Sequence, residues 1–172
     1  MTLNVTIRPA APSEWNQLRD LWLRALADSP DSFAIRTERA RTEPPAYWLR
    51  LIGEDQPARC FVAEDDRGDW QGMILVRLES DPKRARLSGL WVTPEARSHG
   101  IARMLVGHSV TRARQHRAQH LCLWVSDKST AAVGLYADIG FQPTGRRQAL
   151  PSNAAIEESE MCLALSPGPQ GE

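Results

Sequence analysis

The chain has 172 residues, a length that suits one domain. Hydrophobic residues make up 42% of it and charged residues 24%, which are ordinary values for a soluble globular protein. Because the formal net charge is zero at pH 7, the protein as a whole is not a polyanion binder, and any basic surface must be local.

The first half of the chain predicts short strands and helices. In chain order these are a strand at 5–8, a helix from about Pro12 to the turn at 28–32, a loop with some helix at 33–45, a short helix at 47–52, and a hairpin of strands at 59–64 and 70–78. Trp15, Leu18 and Trp22 recur at helical spacing, so the first helix has an apolar face.

The second half alternates strands with longer helices. It predicts a strand at 85–92, a loop at 93–100, a helix at 101–117, a strand at 120–125, a helix at 129–139 closed by Gly140, and strands at 141–147 and 158–165 joined by a loop rich in Pro, Ser and Asn. The order β-α-α-β-β-β-α-β-α-β-β is typical of an α/β domain with a mixed sheet and helices on its faces. We expect one domain at 5–165 and a disordered tail at 166–172.

The sequence shows no membrane or secretion signal. Residues 1–9 lack the apolar core of a signal peptide, since Arg8 interrupts their apolar run. No segment approaches the roughly 18 apolar residues of a membrane-spanning helix. We therefore expect a cytoplasmic protein with no membrane partner.

The three cysteines, Cys60, Cys122 and Cys162, lie inside apolar runs. None forms a Cys-x-x-Cys pair, and their spacing does not suggest a metal site. Because free cysteine behaves as a small hydrophobic residue, we expect three buried free thiols.

Residues 90–105 carry the sharpest functional signal. A strand leads into a loop with one glycine, and the loop begins a helix, so several unpaired backbone N–H groups face the same way at the positive end of the helix dipole. A pyrophosphate is the natural ligand of such a site, and Gly100 lets the backbone approach it closely.

Charge supports this interpretation. Residues 97–126 contain five arginines and four histidines but no Asp or Glu. A solvated basic helix face is the alternative explanation. The loop is neither a Walker A motif nor Gly-x-Gly-x-x-Gly, which argues against an ATP or dinucleotide site.

Two motifs resemble those of the GNAT superfamily of N-acetyltransferases. The segment Arg97-Ser98-His99-Gly100-Ile101-Ala102 matches the pyrophosphate-loop pattern Arg/Gln-x-x-Gly-x-Gly/Ala of that family. Residues 129–141 are similar to its Asn-x-x-Ala-x-x-Leu-Tyr block followed by Gly-Phe, with Leu135, Tyr136 and Gly140-Phe141 at the matching places. The departure is Ser129, which stands where Asn is usual.

The resemblance implies a mixed, mostly antiparallel twisted sheet of about seven strands, with helices on both faces and a splay between the fourth and fifth strands that holds acetyl-CoA. It implies these cosubstrate-binding residues: Leu90, Trp91 and Val92 through their backbone, Ser98, His99, Gly100, Ile101, Ala102 and Arg103 through their amides, Arg97 and Arg103 through charge, and Ser129 through a weaker contact.

The resemblance also implies catalytic roles. Tyr136 is the predicted acid, since a phenol can protonate the thiolate that aminolysis of a thioester releases. A backbone N–H near Trp91 or Val92 is expected to stabilise the oxyanion. Glu79 is a candidate general base, and Ser88 a candidate to hold a water. The acceptor side is expected to include Trp22, Phe33, Trp48, Arg146, Arg147 and the loop at 150–153.

The implied function is transfer of an acetyl group from acetyl-CoA to a primary amine of a small molecule or protein, by direct attack in a ternary complex. The alternatives are a non-catalytic acyl-CoA sensor of the same fold, a nucleotide-binding regulatory domain of another α/β fold, and nucleic-acid binding through the helix at 101–117. The last is disfavoured by the neutral net charge. A homodimer through the last strands is a further expectation.

Overall fold

The computed structural model describes residues 2–166, so Met1 and residues 167–172, which hold most of the predicted tail, lie outside the described part of the chain. The strands are β1 Val5–Pro9, β2 Ala58–Asp65, β3 Trp70–Leu78, β4 Arg84–Val92, β5 His120–Ser126, β6 Gln142–Leu150 and β7 Asn153–Ala164. The helices are α1 Trp15–Asp28, α2 Thr37–Thr42, α3 Pro45–Ile52, α4 Ile101–Gln115 and α5 Thr130–Ile139. None of the helices in residues 2–166 is long and apolar enough to cross a membrane.

The sheet confirms the predicted fold class. Its seven strands lie in the order β1-β2-β3-β4-β5-β7-β6, and all neighbours are antiparallel except β4 and β5, which are parallel. The pairing of β4 with β5 runs from Arg84 opposite His120 to Leu87 opposite Leu123 and then stops. Beyond Leu87 the two strands diverge, which is the predicted splay.

Helices cover both faces of the sheet, as predicted. On one face, Leu105 of α4 and Tyr136 of α5 pack with Leu121 and Leu123 of β5. On the other face, Leu18 and Trp22 of α1 and Trp48 of α3 pack on β2 and β3. Burial of this apolar area, at about 25 cal/mol per Å², is the main stabilising contribution.

The hairpin of β6 and β7 corrects the expected loop between 147 and 158. β6 continues to Leu150, β7 begins at Asn153, and only Pro151 and Ser152 form the turn. The hydroxyl of Ser152 donates to the Phe33 carbonyl at 2.5 Å, and Arg36 Nε donates to the Ser152 carbonyl at 2.8 Å. β6 is an exposed edge strand, so its residues lack the polar and apolar alternation that marks a strand with one buried face.

The expectation of three free thiols was wrong for two of them. Cys122 of β5 and Cys162 of β7 are direct cross-strand partners with Cα atoms 4.1 Å apart, and they form a disulfide. Cys60 is buried and free, as predicted, and burial raises the pKa of its thiol to about 12. The apolar runs correctly indicated burial of Cys60 and Cys122, whereas Cys162 is only half-buried. The sequence does not show that β5 and β7 pair in this register.

Candidate active site

A bulge in β4 shapes the apex of the splay. Ser88 pairs with Leu75 of β3, but Trp91 pairs with Met73, so β4 has one extra residue there. Gly89 lies in this bulge with φ +64°, and a Cβ on it would be 2.6 Å from Cη2 of Trp22. Only glycine fits both the backbone angle and the close approach of the indole ring.

Leu90, Trp91 and Val92 follow the bulge. The register of β4 with β5 has ended before them, so this stretch faces the gap without a strand partner on that side. An extended ligand placed in the gap would meet backbone groups at strand spacing. The geometry is therefore suited to the role predicted for these three residues.

The loop before α4 forms a nest of backbone N–H groups. Ser98 and Gly100 both adopt left-handed conformations, with φ +65° and +78°. Gly100 is the N-cap of α4, and within residues 2–166 no side chain caps this end of the helix. Alternating left-handed residues and an uncapped helix N-terminus make an anion-binding concavity, which suits the predicted pyrophosphate site.

Two side chains of this loop bond to the protein itself. Arg97 donates from Nη2 to Asp28 at 2.6 Å and from Nε to the Val92 carbonyl at 3.1 Å. His99 Nδ1 lies 3.1 and 2.8 Å from the carbonyl oxygens of Ala96 and Arg97, so this nitrogen carries the proton. Both side chains hold the loop in shape. Asp28 was missed by the sequence reasoning, which treated the segment around it as a turn.

The local basic patch is smaller than the sequence suggested. Arg103 lies in the first turn of α4, and its guanidinium is 3.9 Å from Asp138, with both side chains largely exposed. Arg112 lies near the far end of the same helix, about 13 Å further along at 1.5 Å per residue. The structure thus brings Arg97 and Arg103 to the loop but leaves Arg112, Arg114 and Arg117 away from it.

Tyr136 lies on the buried side of α5. Its ring packs against Phe141 with centroids 5.5 Å apart, and burial raises the pKa of its hydroxyl above the usual 10. Ser129 is the N-cap of α5, but its side chain makes no capping hydrogen bond. Gly140 ends the helix in a left-handed conformation, as the sequence predicted.

Glu79 lies just after β3, beside the part of β4 that is still paired with β5. It accepts a hydrogen bond from Arg86 Nε at 2.7 Å and lies 3.4 Å from Arg84 Nε. Two guanidinium groups therefore engage its carboxylate. Ser88, the predicted water-holding residue, lies at the apex of the splay and is exposed.

A cleft of about 330 Å³ opens beside this apex. The residues that line it include Trp22, Phe33, Tyr47, Arg77, Arg86, Leu87, Ser88, Gly89, Trp124, Gln148, Leu150, Pro151 and Glu158. Of the predicted acceptor residues, Trp22, Phe33 and the turn after Leu150 line it. Trp48 is fully buried in the core instead.

The two predicted arginines of β6 point to opposite faces of the sheet. Arg146 lies over the Trp124 ring at 5.5 Å and bonds to Glu160 at 3.3 Å. Arg147 pairs with Asp127 and Glu157 on the other face. Neither arginine lines the cleft, and Arg146 reaches it indirectly through its contact with Trp124.

Glu160 was not singled out from the sequence, although it is 1% exposed. Burial alone would raise the pKa of its carboxyl, but hydrogen bonds from Thr144 and Arg86 and the charge of Arg146 hold that pKa below the usual value. Glu160 and Glu79 together neutralise much of the arginine charge beside the cleft. In the sequence Glu160 lies between Ser159 and Met161, and these neighbours give no signal of its pairing with three arginines.

Comparison with known proteins agrees with this geometry. The acetyltransferase (GNAT) family model matches residues 15–141. The chain is 34% identical over 114 residues to a streptothricin acetyltransferase of Streptomyces lavendulae, covering 66% of this chain and 60% of that protein. It is 30% identical over 145 residues to a peptidyl-lysine N-acetyltransferase of Salmonella typhimurium, covering 84% and 88%.

A solved structure shares the fold. The structure of yncA from Salmonella typhimurium with its cofactor acetyl-CoA superimposes with a TM-score of 0.78 over 98% of both chains, at 17% identity. The family match covers most of the chain, including the loop before α4 and the whole of α5. The chain therefore belongs to the acetyltransferase (GNAT) family and is an acetyl-CoA-dependent N-acetyltransferase.

Proposed function

We propose that residues 5–165 form one catalytic domain that moves the acetyl group to a primary amine by direct attack in a ternary complex. The observation that carries this proposal is that the cleft and the gap between β4 and β5 lie next to each other at Ser88 and Gly89. The cleft opens at these residues, and the gap between β4 and β5 begins beside them. An amine in the cleft and a thioester in the gap would therefore be neighbours, as direct attack requires.

The backbone provides most of the cosubstrate site in this proposal. Residues 90–92 pair with the extended pantetheine arm, and the amides of residues 98–103 hold the pyrophosphate. Arg103 adds charge from an exposed position, while Arg97 keeps the loop attached to Asp28. Backbone N–H groups fixed by a fold are preorganised donors and cost little reorganisation on binding.

Tyr136 is the proposed acid. Its raised pKa keeps the hydroxyl protonated at neutral pH, so it is available as a donor. Full proton transfer from such a phenol to a thiolate is uphill, since thiols have a pKa near 8.5. The hydroxyl therefore acts first as a hydrogen-bond donor to the developing sulfur charge. It transfers its proton as the attacking nitrogen gives up its own.

The acceptor is proposed to present a primary amine on a slender chain. The cleft has aromatic walls and a volume of about 330 Å³, which fits the end of an amine side chain rather than a bulky group. The two relatives named above act, by their names, on streptothricin and on peptidyl-lysine. A small molecule and a protein lysine are therefore the two acceptor classes to test.

Two further expectations belong to this proposal. We place the protein in the cytoplasm, where acetyl-CoA is available. We also propose a homodimer, for which the exposed edge strand β6 is the candidate contact.

The test is calorimetry with acetyl-CoA, with ATP and NAD as controls, followed by acetylation of an amine panel. Gly100→Asp puts a carboxylate into the nest and should abolish acetyl-CoA binding. Gly107→Asp is the matched control, because Gly107 lies exposed in the same helix with open space around it. Equal binding by wild type and a folded Gly100→Asp protein would overturn the loop assignment.

A further inference from the structure

One buried carboxylate, that of Glu158, differs from the other acids beside the cleft in its partners. Glu158 of β7 is 6% exposed and lines the cleft wall. It pairs in register with Ser126 of β5, on the diverging part of that strand, and Gln148 of β6 donates to its Oε1 at 2.5 Å. Among the residues that the structure describes, Glu158 alone is acidic in the lining of this cleft.

The partners of Glu158 distinguish it from Glu79 and Glu160. Those two carboxylates are each engaged by at least two arginines. Within residues 2–166 Glu158 has no ion-pair partner, and its Oε2 accepts no hydrogen bond. This carboxylate lies in the cleft proposed for the amine and lacks a cation. Its Oε2 is therefore free to accept a hydrogen bond from an ammonium group.

The groups around Glu158 set its proton affinity. Arg77 and Arg86 line the same cleft from β3 and β4, Tyr47 lines it from α3, and Gln148 is neutral. Burial raises the pKa of the Glu158 carboxyl, against smaller lowering effects of Gln148 and Arg86. A base whose pKa lies nearer to neutral accepts a proton more effectively.

We propose that Glu158, and not Glu79, is the general base that deprotonates the acceptor amine. This inference rests on the proposed function and adds the residue that makes the amine reactive. The acceptor enters as an ammonium ion, and the Oε2 of Glu158 takes one proton from its nitrogen. The lone pair of that nitrogen then forms the C–N bond with the thioester carbonyl carbon.

The remaining protons balance in the collapse of the intermediate. The C–S bond breaks, the sulfur takes the proton of Tyr136, and the proton that the nitrogen loses on becoming an amide restores the Tyr136 hydroxyl. Glu158 releases its proton to solvent after the products leave. The sum is one amide, one CoA thiol and one proton released per acetyl-CoA consumed.

The experiment compares two kinds of nucleophile. The assay uses wild type and three variants, Glu158→Gln, Glu157→Gln and Glu79→Gln. The first nucleophile is whichever of a lysine peptide, spermidine and streptothricin wild type acetylates best. The second is hydroxylamine, with its uncatalysed reaction subtracted. Hydroxylamine is largely unprotonated near neutral pH and needs no base. Glu157 is the matched control, since it is the neighbouring acid, exposed and paired with Arg147.

We expect Glu158→Gln to lose roughly 100-fold in kcat/KM with the protonated amine. It should stay within about threefold of wild type with hydroxylamine and bind acetyl-CoA with unchanged affinity. In wild type the rate should fall at low pH as Glu158 takes up a proton, and this limb should disappear in the variant. Glu157→Gln should behave as wild type.

The outcomes that overturn the inference are distinct from failure of the proposed function. Equal losses with both nucleophiles would show a structural role, and an unchanged Glu158→Gln enzyme would show no role. A selective loss in Glu79→Gln would place the base there. If wild type acetylates no amine at all, the proposed function itself fails, and this inference with it.

Discussion

Asp28 and Arg97 are 69 positions apart in the sequence, yet Asp28 Oδ2 lies 2.6 Å from Arg97 Nη2. The same oxygen accepts a hydrogen bond from Trp91 Nε1 at 2.9 Å. One carboxylate at the end of α1 thus holds both the strand beside the splay and the loop before α4. An acid at a helix C-terminus is unfavourable for the helix dipole, and hydrogen bonds to Asp28 from Arg97, Trp91 and Ser29 offset that cost.

The first prediction concerns this contact. Asp28→Asn removes the charge that holds Arg97 and should loosen the loop, so we expect acetyl-CoA affinity to fall roughly 3- to 10-fold, as loss of a charge-assisted hydrogen bond implies. Titration calorimetry measures the acetyl-CoA affinity of each protein. Asp20→Asn is the control, because Asp20 is an exposed acid of the same helix that pairs with its neighbour Arg19. Similar affinities for the two variants would contradict the prediction.

The second prediction is the pH dependence of stability. Hydrogen bonds from Ser29, Trp91 and Arg97 lower the pKa of Asp28 to about 2. A lowered carboxyl pKa contributes stability that is present above the unfolded value near 4 and is lost as pH falls toward 2. The difference in unfolding free energy between wild type and Asp28→Asn should therefore be constant above pH 5 and shrink from pH 4 downward. Urea titrations at pH 6, 4 and 3 measure it, and a difference that grows on acidification would refute the assignment.

The third prediction concerns Tyr136. Tyr136→Phe keeps the ring that packs on Phe141 but removes the proton donor. We expect kcat to fall about 100-fold, in the range of general acid catalysis, with acetyl-CoA affinity and melting temperature little changed. Steady-state kinetics and calorimetry separate these effects. Unchanged turnover would remove the catalytic role, and a large loss of stability would indicate a packing role.

The fold was predictable because local signals agreed with each other. Apolar spacing identified α1, Gly140 identified the end of α5, and the loop motif placed the start of α4. These features depend on neighbours within a few residues. The family resemblance supplied the mixed, mostly antiparallel sheet of about seven strands and the splay, which periodicity alone does not contain.

What escaped prediction depends on pairing between distant segments. The Cys122–Cys162 bond, the contact of Asp28 with Arg97 and the isolation of Glu158 all require the register of strands that are far apart in sequence. The sequence alone does not distinguish Glu79 from Glu158. They differ because Arg84 and Arg86 pair with Glu79, whereas Glu158 has no ion-pair partner within residues 2–166.

The fourth prediction concerns the disulfide. Protein purified without reductant should contain one free thiol, that of Cys60, by mass spectrometry after alkylation. A cross-link closing a loop of 40 residues stabilises by roughly 2 to 4 kcal/mol. Reductant should then lower Tm by about 5 to 15 °C, at 2 to 4 °C per kcal/mol for a chain of this size.

Two variants control for other effects of the reductant. A Cys60→Ala protein should keep the reductant-dependent shift in Tm, while a protein with both Cys122→Ser and Cys162→Ser should lose it. Three alkylated thiols in protein purified in air would show that the bond does not form.

The last prediction separates backbone strain from side-chain clash at the apex of the splay. Gly89 and Gly145 both have positive φ, at +64° and +86°, so alanine strains the backbone at either position. A Cβ at Gly145 meets nothing within 4 Å, whereas at Gly89 it meets Trp22 at 2.6 Å. We expect Gly145→Ala to cost about 1 to 2 kcal/mol of unfolding free energy, and Gly89→Ala about 1 to 3 kcal/mol more. Because Trp22 lines the cleft, only Gly89→Ala should also raise KM for the amine. Urea unfolding and steady-state kinetics test both parts, and equal effects of the two variants would show that the indole ring moves aside freely and does not set the shape of the cleft.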